Sequence, residues 1–298
     1  MRFSAMNGHE RPDPVRRIGG GGQPEDRKWS AILLAGTRAE RDPLASHFGV
    51  PMKALVPIGG EPMIVHVVRT LLASPSVGRI LILAQQPELL LGGALQWIAK
   101  TPRVEWAVSR GGIGESLGYV AGTEAAPWPL LITTADHPLL TVEMVEYFLR
   151  ESSRSDCSLG VVDRDVLMER YPETRRTWLR FRGGACTGAN LFSVRTGGAA
   201  PGLEVLADAE THRKNQLRLL WYFGPALALG TATRTLSLQE VVERGGRRFG
   251  LDAALVRLPF AEAGIDVDRL EDQLLADRIL AARATASAPP PRRLSSGM

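Results

Sequence analysis

The chain has 298 residues, 44% of them apolar, with 31 glycines and 20 prolines, enough for one large α/β domain or a domain plus a substantial insertion. Its net charge of +4 comes mainly from arginine and is spread out, with no basic stripe interleaved with aromatics. That argues against a nucleic-acid binder and fits a groove for a small anion. Cys157 and Cys186 form no C-x-x-C pair, which speaks against a disulfide scaffold or structural zinc and makes a reducing, cytoplasmic setting the expectation. The N-terminus shows no apolar signal core, and no run reaches the roughly 20 apolar residues of a membrane span.

Residues 1–28 hold charged residues, prolines and a glycine run with little to bury, and read as a disordered tail. Ala31–Ala35 (AILLA) is a short apolar run of the kind that forms a buried strand. Glu61–Leu72 reads as an amphipathic helix with proline in its first turn, Arg79–Ala84 as a second strand, and Pro87–Ala99 as one helix. Val104–Val108, a helix over Glu115–Glu124, Leu130–Thr134 and a helix over Val142–Ser152 complete four βα repeats. Short apolar strands alternating with helices predict a mostly parallel sheet covered on both faces, with ligands at the carboxyl ends of the strands.

Beyond Cys157 the regularity weakens. Strands are expected at Ser158–Val162, Gly188–Val194, Val256–Phe260 and Gly264–Asp268, and helices at Leu236–Arg244 and Leu270–Ala282. Asn215–Gly230 is strongly apolar, and 285–298 is a second low-complexity tail, leaving a single domain over 29–284. The apolar stretch 217–229 reads as core or as the face of a homodimer, with a weak membrane-surface contact as the minority alternative.

Three features carry chemistry. Gly36 turns the chain sharply after the first strand, in a loop holding Arg41, and Lys53 follows; glycine with converging cations suits a phosphate chain. Asp136 comes directly off the Leu130–Thr134 strand, and Asp266 and Asp268 lie beside a second predicted strand end. Taken alone, Asp136 reads equally as a helix cap or turn residue, and for Asp266 and Asp268 a capping role at the start of the last helix is the better reading. Together, facing cations across one sheet edge, they describe a site for a metal–triphosphate complex, with Mg²⁺ as the expected metal.

The order LLAGTRAER, PMKALVPIGGEPMI, ESLGYVAG, LLITTADHPLL, TGANLF and GIDVDRLEDQLLADRIL resembles the MobA-like nucleotidyltransferases over residues 30–282. These are relatives of the sugar-phosphate, molybdopterin and cobinamide-phosphate nucleotidyltransferases. The resemblance implies a Rossmann-like, doubly wound sheet of the nucleotide-diphospho-sugar transferase type. Leu34, Ala35, Gly36, Arg41 and Lys53 match the family's opening signature, whereas Thr37 and Ala39 replace its second glycine and its small polar position. Asp136 matches the family's metal aspartate, and Asp268 the second metal carboxylate, with Asp266 beside it. Gly112 and Ser116 fall in the segment that lies against nucleobase and ribose, and Asn190 where relatives contact the acceptor.

The implied reaction transfers a nucleoside monophosphate from CTP or GTP to a phosphorylated small molecule, releasing pyrophosphate, with the acceptor pocket in the divergent segment 163–260. Arg41, Lys53 and Asp136 are the implied catalytic residues. The alternative is a nucleotide-binding regulator of the same fold without turnover. Ser109–Gly114 is similar to a dinucleotide-binding turn, but it follows the third strand and no Tyr-x-x-x-Lys appears downstream. His66 reads as structural, and His137 as either a turn residue or a group orienting the acceptor.

Overall fold

The computed structural model describes residues 28–36, 42–90, 92–201, 203 and 233–287. The first strand, β1 (Trp29–Leu34), lies at the centre of a mixed eight-stranded sheet. It pairs in parallel with β4 (Val77–Ala84) on one side and β6 (Leu130–Thr134) on the other, and β4 pairs in parallel with β5 (Val104–Val108). Preceding β4, β2 (Pro57–Ile58) and β3 (Glu61–Pro62) form a separate small hairpin. Past β6 the direction changes. The long β9 (Gly184–Val194) runs antiparallel between β6 and β7 (Cys157–Asp163), β8 (Leu179–Phe181) pairs with it, and β10 (Ala253–Arg257) closes the order β10-β7-β9-β6-β1-β4-β5.

Alternation along β1 makes the two halves of the core. Ala31 and Leu33 face α2 (Met63–Ala73), α6 (Val142–Ser152) and α9 (Leu270–Ser287), where Val68, Phe148 and Ile279 are buried. Ile32 faces α5 (Ile113–Val120) through Leu117 and Val120. Each fully buried large apolar side chain contributes roughly 1.5–3 kcal/mol. The expected doubly wound architecture is therefore present. Further helices are α1 (Pro43–His47), α3 (Pro87–Leu90), α4 (Gln96–Ala99), α7 (Arg164–Arg170) and α8 (Leu238–Arg248). No described helix is long and apolar enough to cross a membrane.

Several local expectations are corrected. Glu61 and Pro62 belong to β3, so α2 begins at Met63. The predicted helix over 87–99 is broken into α3, a 3-10 turn at Gly93–Leu95 and α4; Gly93 has φ 58°, a conformation that a continuous right-handed helix excludes. Gly264–Asp268 is not a strand, because Ala261–Gly264 forms a 3-10 turn and the extended residues after it join no sheet. Helix α7 was not foreseen, and α9 continues to Ser287, past the predicted domain end at 284. Apart from Lys28 and 285–287, the two predicted tails, and all of the apolar stretch 217–229, lie outside the described residues.

His66 is structural as expected, its Nε2 lying 2.8 Å from the Ile58 carbonyl oxygen. His137 is 1% exposed in the turn after β6. The Glu262 main chain lies near its ring, but neither nitrogen has a well-aligned hydrogen-bond partner. Burial pushes its imidazole down to about 4 from the ordinary 6.5, against the opposing pull of Asp136. An unfolded chain takes up this proton near pH 6.5, and the folded chain only near 4. The neutral imidazole's contribution is thus fully present above about pH 6.5 and is lost as the pH falls towards 4, by roughly 3 kcal/mol in total. In EDTA, the melting temperature of the wild type should drop more between pH 7 and pH 5 than that of His137→Leu, and equal drops would contradict this.

Candidate active site at the carboxyl edge of the sheet

Strands β1, β4, β5 and β6 all end at one edge, so Gly36, Gln85, Ser109–Gly112 and Asp136 come together there although they are far apart in sequence. Gly36 is exposed, and a Cβ placed on it would lie 2.7 Å from the Gln85 side chain at the end of β4. A larger residue at this position would have to displace the end of the flexible Gln85 side chain. Leu34 is partly exposed and Ala35 buried beside it. Thr37 and Arg41 lie outside the described residues.

On the far side of β1 the loop after β5 is braced from within. The Ser116 hydroxyl, 2% exposed, lies 3.0 Å from Ser109 Oγ, accepts from the Arg110 amide at 2.8 Å and donates to the Arg110 carbonyl at 2.8 Å. Ser116 therefore shapes this loop with a hydroxyl turned inward, whereas the exposed Gly112 opens α5 without a side-chain cap. Asn190 adopts φ 51° in β9, one residue before Leu191, which pairs with Thr133. A non-glycine residue in that region marks an irregular point of the strand, level with the end of β6.

The centre of the site is a cluster of charge. Lys53, on the 3-10 turn Lys53–Leu55, donates to Asp136 Oδ2 at 2.7 Å and also to Asp268 Oδ1. Thr134 Oγ1 donates to Asp136 Oδ1 at 2.5 Å, and the Asp136 carbonyl accepts from the Val267 amide at 2.8 Å. That bond moors the extended segment 265–268 to the end of β6. Within the segment Ile265 and Val267 are buried, so Asp266 and Asp268 emerge on the opposite side, towards Asp136. Gly264 allows this path, since a Cβ there would meet Leu167 at 2.7 Å and Thr187 at 3.0 Å. Carboxylate oxygens of Asp136, Asp266 and Asp268 lie within 4.8 Å of one another.

The capping role that Asp266 or Asp268 could have played at the last helix falls to Asp272. Its Oδ2 accepts from the Asp268 amide at 3.2 Å and the Arg269 amide at 3.0 Å at the start of α9. Asp266 and Asp268 are thereby left available for the cluster. Arg176, which sequence reasoning missed, bonds Asp266 and, at 2.8 Å, Asp272. It sits in an arginine-rich stretch that reads as solvated charge, and only its burial, at 5% exposure, separates it from its neighbours.

The electrostatics follow from this packing. Burial alone would push Asp136 up, but the Lys53 ammonium and the hydrogen bonds from Lys53 and Thr134 outweigh it and hold the carboxyl below its usual range. Burial likewise opposes the charged form of Lys53, and Asp136 and Asp268 more than reverse this, raising it. Asp266 is pushed up to about 6 by burial and by the carboxylates of Asp136 and Asp268, with Arg176 and Lys53 only partly offsetting them. Three crowded carboxylates with a raised member form a set of hard oxygen donors able to hold a divalent cation.

Comparison with known proteins places this edge in context. The MobA-like NTP transferase domain matches residues 31–211. A hypothetical transferase from Thermus thermophilus is 31% identical, over 83% of this chain and 99% of its own, with a TM-score of 0.67. Two more distant structures show the same fold. One is 4-diphosphocytidyl-2C-methyl-D-erythritol synthase from Anaerococcus prevotii (8% identity, 86% and 96% of the two chains, TM-score 0.51). The other is CMP:2-keto-3-deoxy-manno-octonic acid synthetase solved with CTP (14% identity, 86% and 99%, TM-score 0.54). No curated protein gives a significant match. The chain is a nucleotidyltransferase and belongs to the MobA-like NTP transferase family.

Proposed function

We propose that this nucleotidyltransferase moves a nucleoside monophosphate from CTP or GTP to a phosphorylated small-molecule acceptor, using Mg²⁺ and releasing pyrophosphate. The observation that carries the reading is the Lys53–Asp136–Asp268 bridge, which sets a cation and two carboxylates at the sheet edge where β1 ends before Gly36. Three carboxylates with oxygens within 4.8 Å fit Mg²⁺, which takes one or two carboxylates and fills its remaining positions with water and phosphate oxygens. Bound there, Mg²⁺ supplies charge neutralisation for the triphosphate.

The protein's own groups do the rest. The Gly36 turn lets the triphosphate approach the backbone at the end of β1, and Arg41 adds a second cation from the same loop. Gly112 and the loop braced by Ser116 offer main-chain groups to the base, and Asn190 stands on the acceptor side with segment 163–260. An oxygen of the acceptor phosphate attacks the α-phosphorus. The bond to the bridging oxygen breaks opposite it, and pyrophosphate leaves with the electron pair. A phosphate acceptor is already ionised, so neither a protein nucleophile nor a general base is required. Lys53 turns from the carboxylates to the phosphates and stabilises the charge that builds on the leaving group, while the carboxylates fix the geometry.

Incubation with CTP, then GTP, in the presence of Mg²⁺ and a panel of phosphorylated acceptors should give pyrophosphate. Asp136→Asn should lower kcat by about 100-fold or more. Normal turnover by that variant would overturn the assignment, and tight nucleotide binding without release for any acceptor would favour the regulator.

Lys53→Met should lose a comparable share of kcat. In EDTA it should also melt below the wild type, because Asp136 and Asp268 then face each other without a counter-ion. Mg²⁺ should restore much of that lost stability, and a melting temperature indifferent to Mg²⁺ would contradict the shared site.

A further inference from the structure

We infer that Arg176 is the positioning residue that divides the acidic cluster, holding Asp266 out of the metal set so that Asp136 and Asp268 bind the exchangeable cation. The inference rests on the metal–triphosphate reading above. Among the described residues two cations bond to the cluster, and they share no hydrogen-bonded carboxylate, Lys53 acting on Asp266 only through its charge. Lys53 bonds Asp136 and Asp268. Arg176 bonds Asp266 and Asp272, its Nη1 reaching both the Asp266 carboxylate and the Asp266 main-chain oxygen at 2.8 Å, and its Nη2 reaching Asp272 Oδ1 at 2.8 Å. Among the described residues, no hydrogen bond links both cations to one carboxylate.

The two cations differ in what they can do. Arg176 is buried, its fork is matched at three points, and a guanidinium does not lose its proton. It is a permanent partner. Lys53 carries a compact charge on a flexible stem and can turn from carboxylates to a phosphate. Accessibility favours Asp268 over Asp266 as the open ligand, at 43% against 21% side-chain exposure, while Asp136, at 23%, is set apart from Asp266 by its bond to Lys53 rather than Arg176.

Arg176 also reaches Asp268 indirectly. The carboxylate it holds on Asp272 accepts from the Asp268 and Arg269 amides, so one guanidinium fixes the Asp266 side chain and the main chain that carries Asp268. Removing it would leave Asp266 a partly buried carboxylate without its guanidinium, beside two others, and free to take the cation itself.

Mn²⁺ titrated alone into the full chain, with free Mn²⁺ read by electron paramagnetic resonance, tests this. Asp268→Asn should weaken binding by about tenfold or more, and Asp266→Asn should leave it little changed. In an Arg176→Met background, Asp266→Asn should now weaken Mn²⁺ by about tenfold, because the uncovered carboxylate has joined the set. A merely structural arginine would lower the melting temperature and leave the effect of Asp266→Asn the same in both backgrounds, which would overturn the inference. Equal losses from Asp266→Asn and Asp268→Asn would also overturn it, with the metal reading intact. Loss from neither would overturn the metal reading and the inference with it. The comparison of Asp266→Asn with Asp268→Asn needs no Arg176 variant, and Arg176→Lys, which keeps the charge without the fork, serves if Arg176→Met does not fold.

Discussion

Four carboxylates, Asp136, Asp266, Asp268 and Asp272, are held together at one end of the sheet by two cations, Lys53 and Arg176. The remaining arrangement depends on keeping these carboxylates close. Four negative charges against two positive ones leave an excess of two, in a partly buried place where like charges repel strongly. Burial first, and the neighbouring carboxylates of Asp136 and Asp268 after it, push Asp266 up to about 6. A divalent cation would cancel the excess. Among the described side chains bonded to one another here, the charge is short by the amount that a divalent cation would bring.

Holding the carboxylates in place requires structure from separate parts of the chain. Strand β6 presents Asp136 because its buried residues end at Thr133, and the hydroxyl of the half-buried Thr134 that follows fixes the carboxylate. The segment carrying Asp266 and Asp268 comes from near the other end of the sequence. Hydrogen bonds to non-strand partners set its path: the Val267 amide uses the Asp136 carbonyl, and the Asp266 carbonyl uses Arg176. Those bonds explain why Gly264–Asp268, apolar and alternating, is not a strand. Its backbone groups are satisfied by the site rather than by a sheet neighbour.

Much of this was legible in the sequence, and the limit has a physical cause. Buried parallel strands announce themselves as apolar runs, so β1, β4, β5 and β6 were readable, as was the edge at which their loops meet. Asp136 stood out as a carboxylate directly off a buried strand, whereas Lys53, on a 3-10 turn, and Asp268, on an extended segment outside the sheet, stood out only through the order of motifs along the chain. Which aspartate caps α9 was not readable, since Asp268 and Asp272 have the same chemistry and only geometry assigns the cap to Asp272. Arg176 was hidden for a related reason. Composition cannot tell a buried guanidinium from the exposed ones around it, and its partners lie some ninety residues further along the chain. The break in the 87–99 helix was a misjudged glycine pair, Gly92–Gly93, where the positive φ of Gly93 ends the periodicity.

The choice of lysine at one pair and arginine at the other follows from the work each pair must do. A guanidinium meets two carboxylates through a rigid planar fork, and its strength comes from that match, so any movement forfeits several hydrogen bonds together. It suits Asp266 and Asp272, which anchor a helix start and have no reason to let go. An ammonium bonds through a point charge that can rotate its donors, so it can neutralise Asp136 and Asp268 without committing their geometry. A carboxylate pair that must accept a metal needs a partner of this second kind, near enough to keep the unloaded site stable and able to turn towards the phosphates. Exchanging the two cations would conserve every charge in the cluster and still spoil it, because the fixed pair would loosen and the exchangeable pair would lock.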